Sequence, residues 1–268
     1  MIARARLGQS SVRSDRLVGK VALVTGSGSG IGRGCALMFA RHGARVMGSD
    51  LNAATAAETV ALARAEGLDV ESAHPIDLTV PADVARMIER TVQRFGRLDV
   101  LVNAGAWGAF EWIERMDYES QWRKTLAAEL DSVFLVCKSA WSHLKESGAA
   151  SIINFASANA FVALEGSPAL AHCAGKGGVL AMTRQLAMEG APHNIRANSI
   201  CPGMVVTSAT RPVLESNAAI REAARRKTML SRFAEPEDIA WAALYLASEE
   251  ASWVTGADFS IDGGATAW

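Results

Sequence analysis

The residues best placed to do chemistry begin at the turn Thr25-Gly26-Ser27-Gly28-Ser29-Gly30-Ile31-Gly32. It follows the apolar run 21–25 and leads into a segment with Cys35, Ala36, Met38 and Phe39. Glycines at such a junction permit a tight turn and let backbone N–H groups approach a pyrophosphate at the positive end of a helix. A glycine-rich string is common in loops, but between a buried strand and a helix it points to a dinucleotide. Asp50 stands eighteen residues beyond Gly32, at the end of the next apolar run. A carboxylate there accepts hydrogen bonds from ribose hydroxyls and repels a 2′-phosphate. No Arg occupies Leu51 or Asn52, so NAD is expected over NADP; the other reading of Asp50 is a helix cap.

These residues need a scaffold, and the chain carries the pattern of one. Beyond Lys20, short apolar runs at 21–25, 44–50, 98–103, 150–156 and 195–200 alternate with amphipathic segments. The runs are continuously apolar, as strands of a parallel sheet covered on both faces are. Residues 81–95 repeat Val84, Met87, Ile88, Val92 and Phe95 at helical spacing, with Thr79 as the expected N-cap and Pro81 in the first turn. The alternation predicts one α/β domain over 18–268, a Rossmann-type doubly wound parallel sheet of about seven strands. Residues 1–17 hold Arg4, Arg6, Arg13 and Arg16 without an apolar stretch and are expected to form a flexible tail; a mitochondrial leader is the other reading. Residues 204–233 follow a Pro-Gly pair, carry Arg211, Arg221, Arg225, Arg226 and Lys227, and read as a mobile helical insert over a site.

Half of the 268 residues are hydrophobic, 21% are charged, and the formal net charge is −1. That supplies a two-faced core and no field that favours nucleic acid or an anionic membrane. Cys35, Cys137, Cys173 and Cys201 form no CxxC pair, so no metal site or secreted disulfide framework is expected and the cytoplasm is the default. No apolar run reaches the roughly 18–20 residues needed to span a bilayer.

Five separated segments together resemble the short-chain dehydrogenase/reductase family. They are Thr25-Gly26-x-x-x-Gly30-Ile31-Gly32, Asp77-Leu78, Asn103-Ala104-Gly105, Pro202-Gly203-x-Val205-x-Thr207 and Asp262-Gly263-Gly264, spanning roughly 18–264 in the family's order. The resemblance implies that Gly26, Ser29, Gly30, Ile31, Gly32, Asp50 and Leu51 hold the adenosine and pyrophosphate. Asp77 and Leu78 would contact adenine, and Asn103, Ala104 and Gly105 would support the adenosine half and the central sheet. Pro202, Gly203, Val205 and Thr207 would hold the nicotinamide side.

The family's usual chemistry uses a serine, a Tyr-x-x-x-Lys pair and a supporting asparagine. Ser157 fits the serine and Lys176 the lysine, which would bind the nicotinamide ribose. Four residues before Lys176 stands His172, and the position of the asparagine holds Glu129; the only tyrosines are Tyr118 and Tyr245. Residues 172 and 176 lie one helical turn apart and share a face, so His172 is expected to point at the substrate oxygen. Imidazole, with an unperturbed pKa of about 6.5, exchanges a proton near neutrality. Glu129, if close, would hold one imidazole N–H; the alternative is a salt link to Lys124, Lys138 or Lys176. Ser157 could instead cap the strand end, and Lys176 could be a solvated helix residue.

The expected activity is interconversion of a secondary alcohol and a ketone. Other readings are altered lyase- or isomerase-type chemistry, or an NAD-binding sensor or assembly subunit. Trp107, Phe110 and Trp112, with Phe161, Val162 and Leu164, suggest a bulky apolar or cyclic small-molecule substrate, or packing under the insert or at an interface. By resemblance, helices over 117–147 and 168–190 pair between subunits in a homotetramer or homodimer.

Overall fold

A computed structural model describes residues 15–268; residues 1–14 of the expected tail lie outside the described residues. Seven parallel strands form one sheet in the order β3-β2-β1-β4-β5-β6-β7. They are β1 (Val21–Thr25), β2 (Arg45–Ser49), β3 (Val70–Ala73), β4 (Val100–Asn103), β5 (Ala150–Phe155), β6 (Ile195–Pro202) and β7 (Asp258–Ile261). The α-helices are α1 (Gly30–Arg41), α2 (Ala53–Ala65), α3 (Pro81–Phe95), α4 (Lys124–Leu126), α5 (Ser132–Ser147), α6 (Leu170–Gly190), α7 (Arg211–Ser216), α8 (Ala218–Lys227) and α9 (Pro236–Ala247). The expected doubly wound α/β sheet is what the chain forms.

The continuous apolar runs have a direct cause. On β1, Val21 and Leu23 enter one core with Met87 of α3, Val136 of α5 and Val179 of α6. Ala22 and Val24 enter the other, with Phe39 of α1 and Leu244 of α9. A strand with a core on each face has no polar side, so period-two alternation disappears. The strand order reverses between β1 and β4, and there the loops at the C-terminal strand ends part to leave a crevice.

Two local expectations are corrected. Thr79 does not cap α3; the N-cap is Val80, while the Thr79 N–H and hydroxyl both donate to Asp77 Oδ1, at 2.9 and 2.7 Å. The boundary of the tail also moves. Leu17 is fully buried with its N–H on the His42 carbonyl at 2.8 Å, and Arg16 pairs with Glu250 at 2.6 Å, so the chain is docked before residue 18. The 204–233 segment is helical, as α7 and α8. Among the described residues no helix is long and apolar enough to cross a membrane.

Candidate active site

The glycine turn leaves β1 at the crevice. Gly26 adopts φ +65, and a Cβ there would lie 2.7 Å from Gly105 Cα; a Cβ on Gly32 would lie 2.1 Å from the Gly26 carbonyl oxygen. Both positions therefore exclude any larger residue. The N-cap of α1, Ser29, makes no side-chain hydrogen bond, and the first turn holds no acidic residue. The free N–H groups of this helix end are open to an anion. Thr207 closes the far side, with its methyl 3.2 Å from where a Gly30 Cβ would sit. Ile31 packs on the core below, and Val205 is buried beside it.

Asp50 follows the end of β2. Its Oδ2 accepts the Gly28 N–H and its Oδ1 the Asn52 N–H, both at 2.8 Å, so it braces the turn rather than capping α2, whose N-cap is Asn52. A carboxylate oxygen has more than one acceptor site, which leaves capacity for ribose hydroxyls. A cavity of about 150 Å³ opens here, walled by Asp50, Leu51, Asp77, Leu78, Gly105 and Trp107. Two acceptors among flat apolar walls suit an adenosine. Trp107, expected against the substrate, lies on this side. Thr25 Oγ1 accepts the N–H groups of both Ala104 and Gly105 at 3.0 Å, which holds the chain beyond β4 against the glycine turn.

Asn103 works from inside. It is 4% exposed and donates to Asn154 Oδ1 at 2.8 Å, and Asn154 donates to Thr183 Oγ1 on α6 at 2.9 Å. Its side chain ties β4, β5 and α6 together beneath the crevice. At the end of β6, Gly203 lies against Asp262, since an added Cβ would meet the Asp262 carbonyl oxygen at 2.8 Å. Pro202 is the last residue of β6 and is buried. These residues and the glycine turn line one crevice in which close backbone contacts leave no room for larger side chains.

Across the crevice, α6 carries His172 and Lys176. Lys176 is 6% exposed and donates from Nζ to the Phe155 carbonyl at the end of β5, at 3.0 Å. It is not a solvated residue. Burial pulls its pKa below the ordinary lysine value, and the charge of Glu129 opposes that. Two residues on, Ser157 caps the short 3-10 turn Ala158–Ala160 by accepting the Asn159 N–H at 3.1 Å. The cap expected as its alternative role is therefore real, and the hydroxyl keeps its donor.

Glu129 meets neither Lys124 nor Lys138, whose ammonium groups rest over the Trp107 and Phe134 rings at 4.4 and 5.7 Å. Its Oε1 stands 2.7 Å from His172 Nδ1. The local helix explains how it gets there. Two π-helical turns, Tyr118–Arg123 and Ala127–Asp131, flank α4. The wider turn places Ala128 on the wall of the 150 Å³ cavity and Glu129 against His172 of α6. Phe110 lies over His172 with ring centroids 5.5 Å apart. Nothing in the spacing of residues 118–131 signalled the π turns.

Residues 26–266 match the family model described as Enoyl-(Acyl carrier protein) reductase. The chain is 36% identical over 251 residues to the D-threitol dehydrogenase of Mycolicibacterium smegmatis, covering 94% of each. It is 36% identical over 259 residues to the trans-4-hydroxycyclohexanecarboxylate dehydrogenase of Sinomonas cyclohexanicum, covering 95% of each. Among solved structures, a short-chain type dehydrogenase/reductase from Mycobacterium marinum superposes with a TM-score of 0.88 at 30% identity, covering 96% of this chain and 99% of that one.

Proposed function

The chain belongs to the short-chain dehydrogenase/reductase family, and we propose that it is an NAD(H)-dependent oxidoreductase interconverting a secondary alcohol and a ketone, with His172 as the acid/base. The observation that carries this reading is the placement of His172 one helical turn before the buried Lys176, across the crevice from the glycine turn. Asp50 supports NAD: a 2′-phosphate would set two negative charges side by side.

The bound cofactor supplies a nicotinamide ring that accepts or returns hydride. Lys176 holds its ribose. Ser157 donates to the substrate oxygen, and His172 takes the hydroxyl proton in oxidation or returns it in reduction. Phe110 over His172 favours an apolar substrate, as a bulky or cyclic alcohol is. Several cations of the insert have partners. Arg221, Arg225 and Lys227 donate to the carbonyls of Leu214, Leu230 and Trp268 at 2.8, 2.8 and 3.0 Å, and Arg226 stands 3.6 Å from Glu165. The relative from Sinomonas, named for a cyclic hydroxy acid, fits the ring. We also propose a cytoplasmic homo-oligomer.

Purified protein with NAD and a panel of cyclic secondary alcohols tests the reading. His172→Phe is expected to lower turnover about 100- to 10,000-fold while calorimetry shows unchanged NAD affinity. Undiminished turnover in that variant would remove His172 from the mechanism. Binding of NAD without turnover on the whole panel would instead favour a sensor.

A further inference from the structure

We propose that His172 and Glu129 form one proton-holding unit, with Glu129 as the positioning residue that fixes the imidazole tautomer and keeps the transferred proton on the pair. The inference rests on His172 being the acid/base, as argued above. Glu129 Oε1 is 2.7 Å from Nδ1, and the side chains of Glu129 and His172 are 4% and 17% exposed. A carboxylate at Glu129 only accepts, which would put the hydrogen on Nδ1 and leave Nε2 its lone pair. Without Glu129 the imidazole would be free to present either nitrogen.

Space for the carboxylate is made by two glycines. A Cβ on Gly108 would sit 3.0 Å from Oε1, and one on Gly175 would sit 3.1 Å from Oε2. A side chain at either position would press on the carboxylate.

The surroundings then decide where the proton can go. Glu129 Oε2 is buried without a hydrogen-bond partner. Lys176, the nearby cation on α6, donates one Nζ hydrogen to the Phe155 carbonyl at 3.0 Å and none to Glu129. Cys173, also on α6, is kept protonated by burial, with its own backbone opposing and the charge of Glu129 adding to the effect. Phe110 covers the imidazole with an apolar ring, and the Ser157 oxygen accepts from Asn159 rather than from His172. Among the described residues, no hydrogen bond joins the pair to Lys176.

In oxidation the substrate O–H bond breaks and its proton passes to Nε2. The carbinol C–H bond breaks with its electron pair moving to the nicotinamide ring, and the C=O bond forms. The products are a ketone, a reduced cofactor and an imidazolium facing a carboxylate in a part-buried site. The proton leaves by the route it entered, after the ketone has gone.

Two measurements on NAD-loaded protein test this. With 15N-labelled histidine, His172 is expected to show a low-field Nδ1 proton and a bare Nε2. Glu129→Gln should move that proton upfield, and Glu129→Asp should restore part of the shift if glutamine disturbs folding. A proton on Nε2 with a bare Nδ1 would overturn the assignment. In a single turnover with cyclohexanol or its substituted homologues, followed with a pH indicator, reduced cofactor should appear before the released proton. In Glu129→Gln the two should coincide, with kcat lowered at least about 100-fold and KM little moved. Coincident signals in the unsubstituted protein would overturn retention. Absence of any reduced cofactor would defeat the underlying alcohol–ketone reading, and the histidine spectrum would still decide the tautomer.

Discussion

Lys176 sets a charge where the fold has least room to solvate it. Burial lowers its pKa from the ordinary 10.5, with Glu129 opposing. Between that lowered value and 10.5 the unfolded chain binds more protons than the folded one, so folding stability rises with pH across this window. The urea midpoint of the cofactor-free protein is expected to climb as pH approaches 10.5, relative to Lys176→Met. Parallel pH profiles for the two proteins would contradict this. His172 and Lys176 were legible in the sequence because four residues on a helix make one turn. The partner of Glu129 was not, because three lysines and a histidine competed and only the packing of α6 on the π turn chooses among them. Trp107 escaped for a similar reason: nothing in its neighbours shows that Thr25 holds its loop at the adenosine end.

Elements with two covered faces announced themselves, and edges did not. The runs predicted at 21–25, 150–156 and 195–200 match β1, β5 and β6 to within two residues, because each is sealed between helices. Strands β3 and β7, Val-Glu-Ser-Ala and Asp-Phe-Ser-Ile, are the sheet edges and were not among the predicted runs. An edge strand tolerates polar residues, since one side has no neighbouring strand. The π turn at Ala127–Asp131 holds one residue more per hydrogen-bonded ring than an α turn. Deleting Ala127 should restore α register and rotate the preceding residues by about 100° relative to Glu129. We expect such a protein to fold, to lose the match between the adenosine wall and the Glu129–His172 contact, and to drop in turnover about 100-fold or more. Full activity would show that the wider turn is incidental.

At the scale of the molecule, the two cores account for one domain, while several large apolar side chains stay outside both. Phe134 on α5 and Met188 on α6 are 51% and 60% exposed. Exposed apolar surface on long helices is what an interface between copies would cover. Light scattering during gel filtration is expected to give two or four times the chain mass, and Met188→Glu to shift the population toward smaller species. A single-chain mass at micromolar concentration would refute the homo-oligomer.

The hydroxyl of Thr25 takes two backbone donors from the far side of the crevice, at the centre of the sheet. The floor of the cleft is thus built during folding, not moulded around a guest. For the dinucleotide proposed above, the seat would stand ready before the guest arrives, and exchange of spent for fresh cofactor would need no remodelling of this floor.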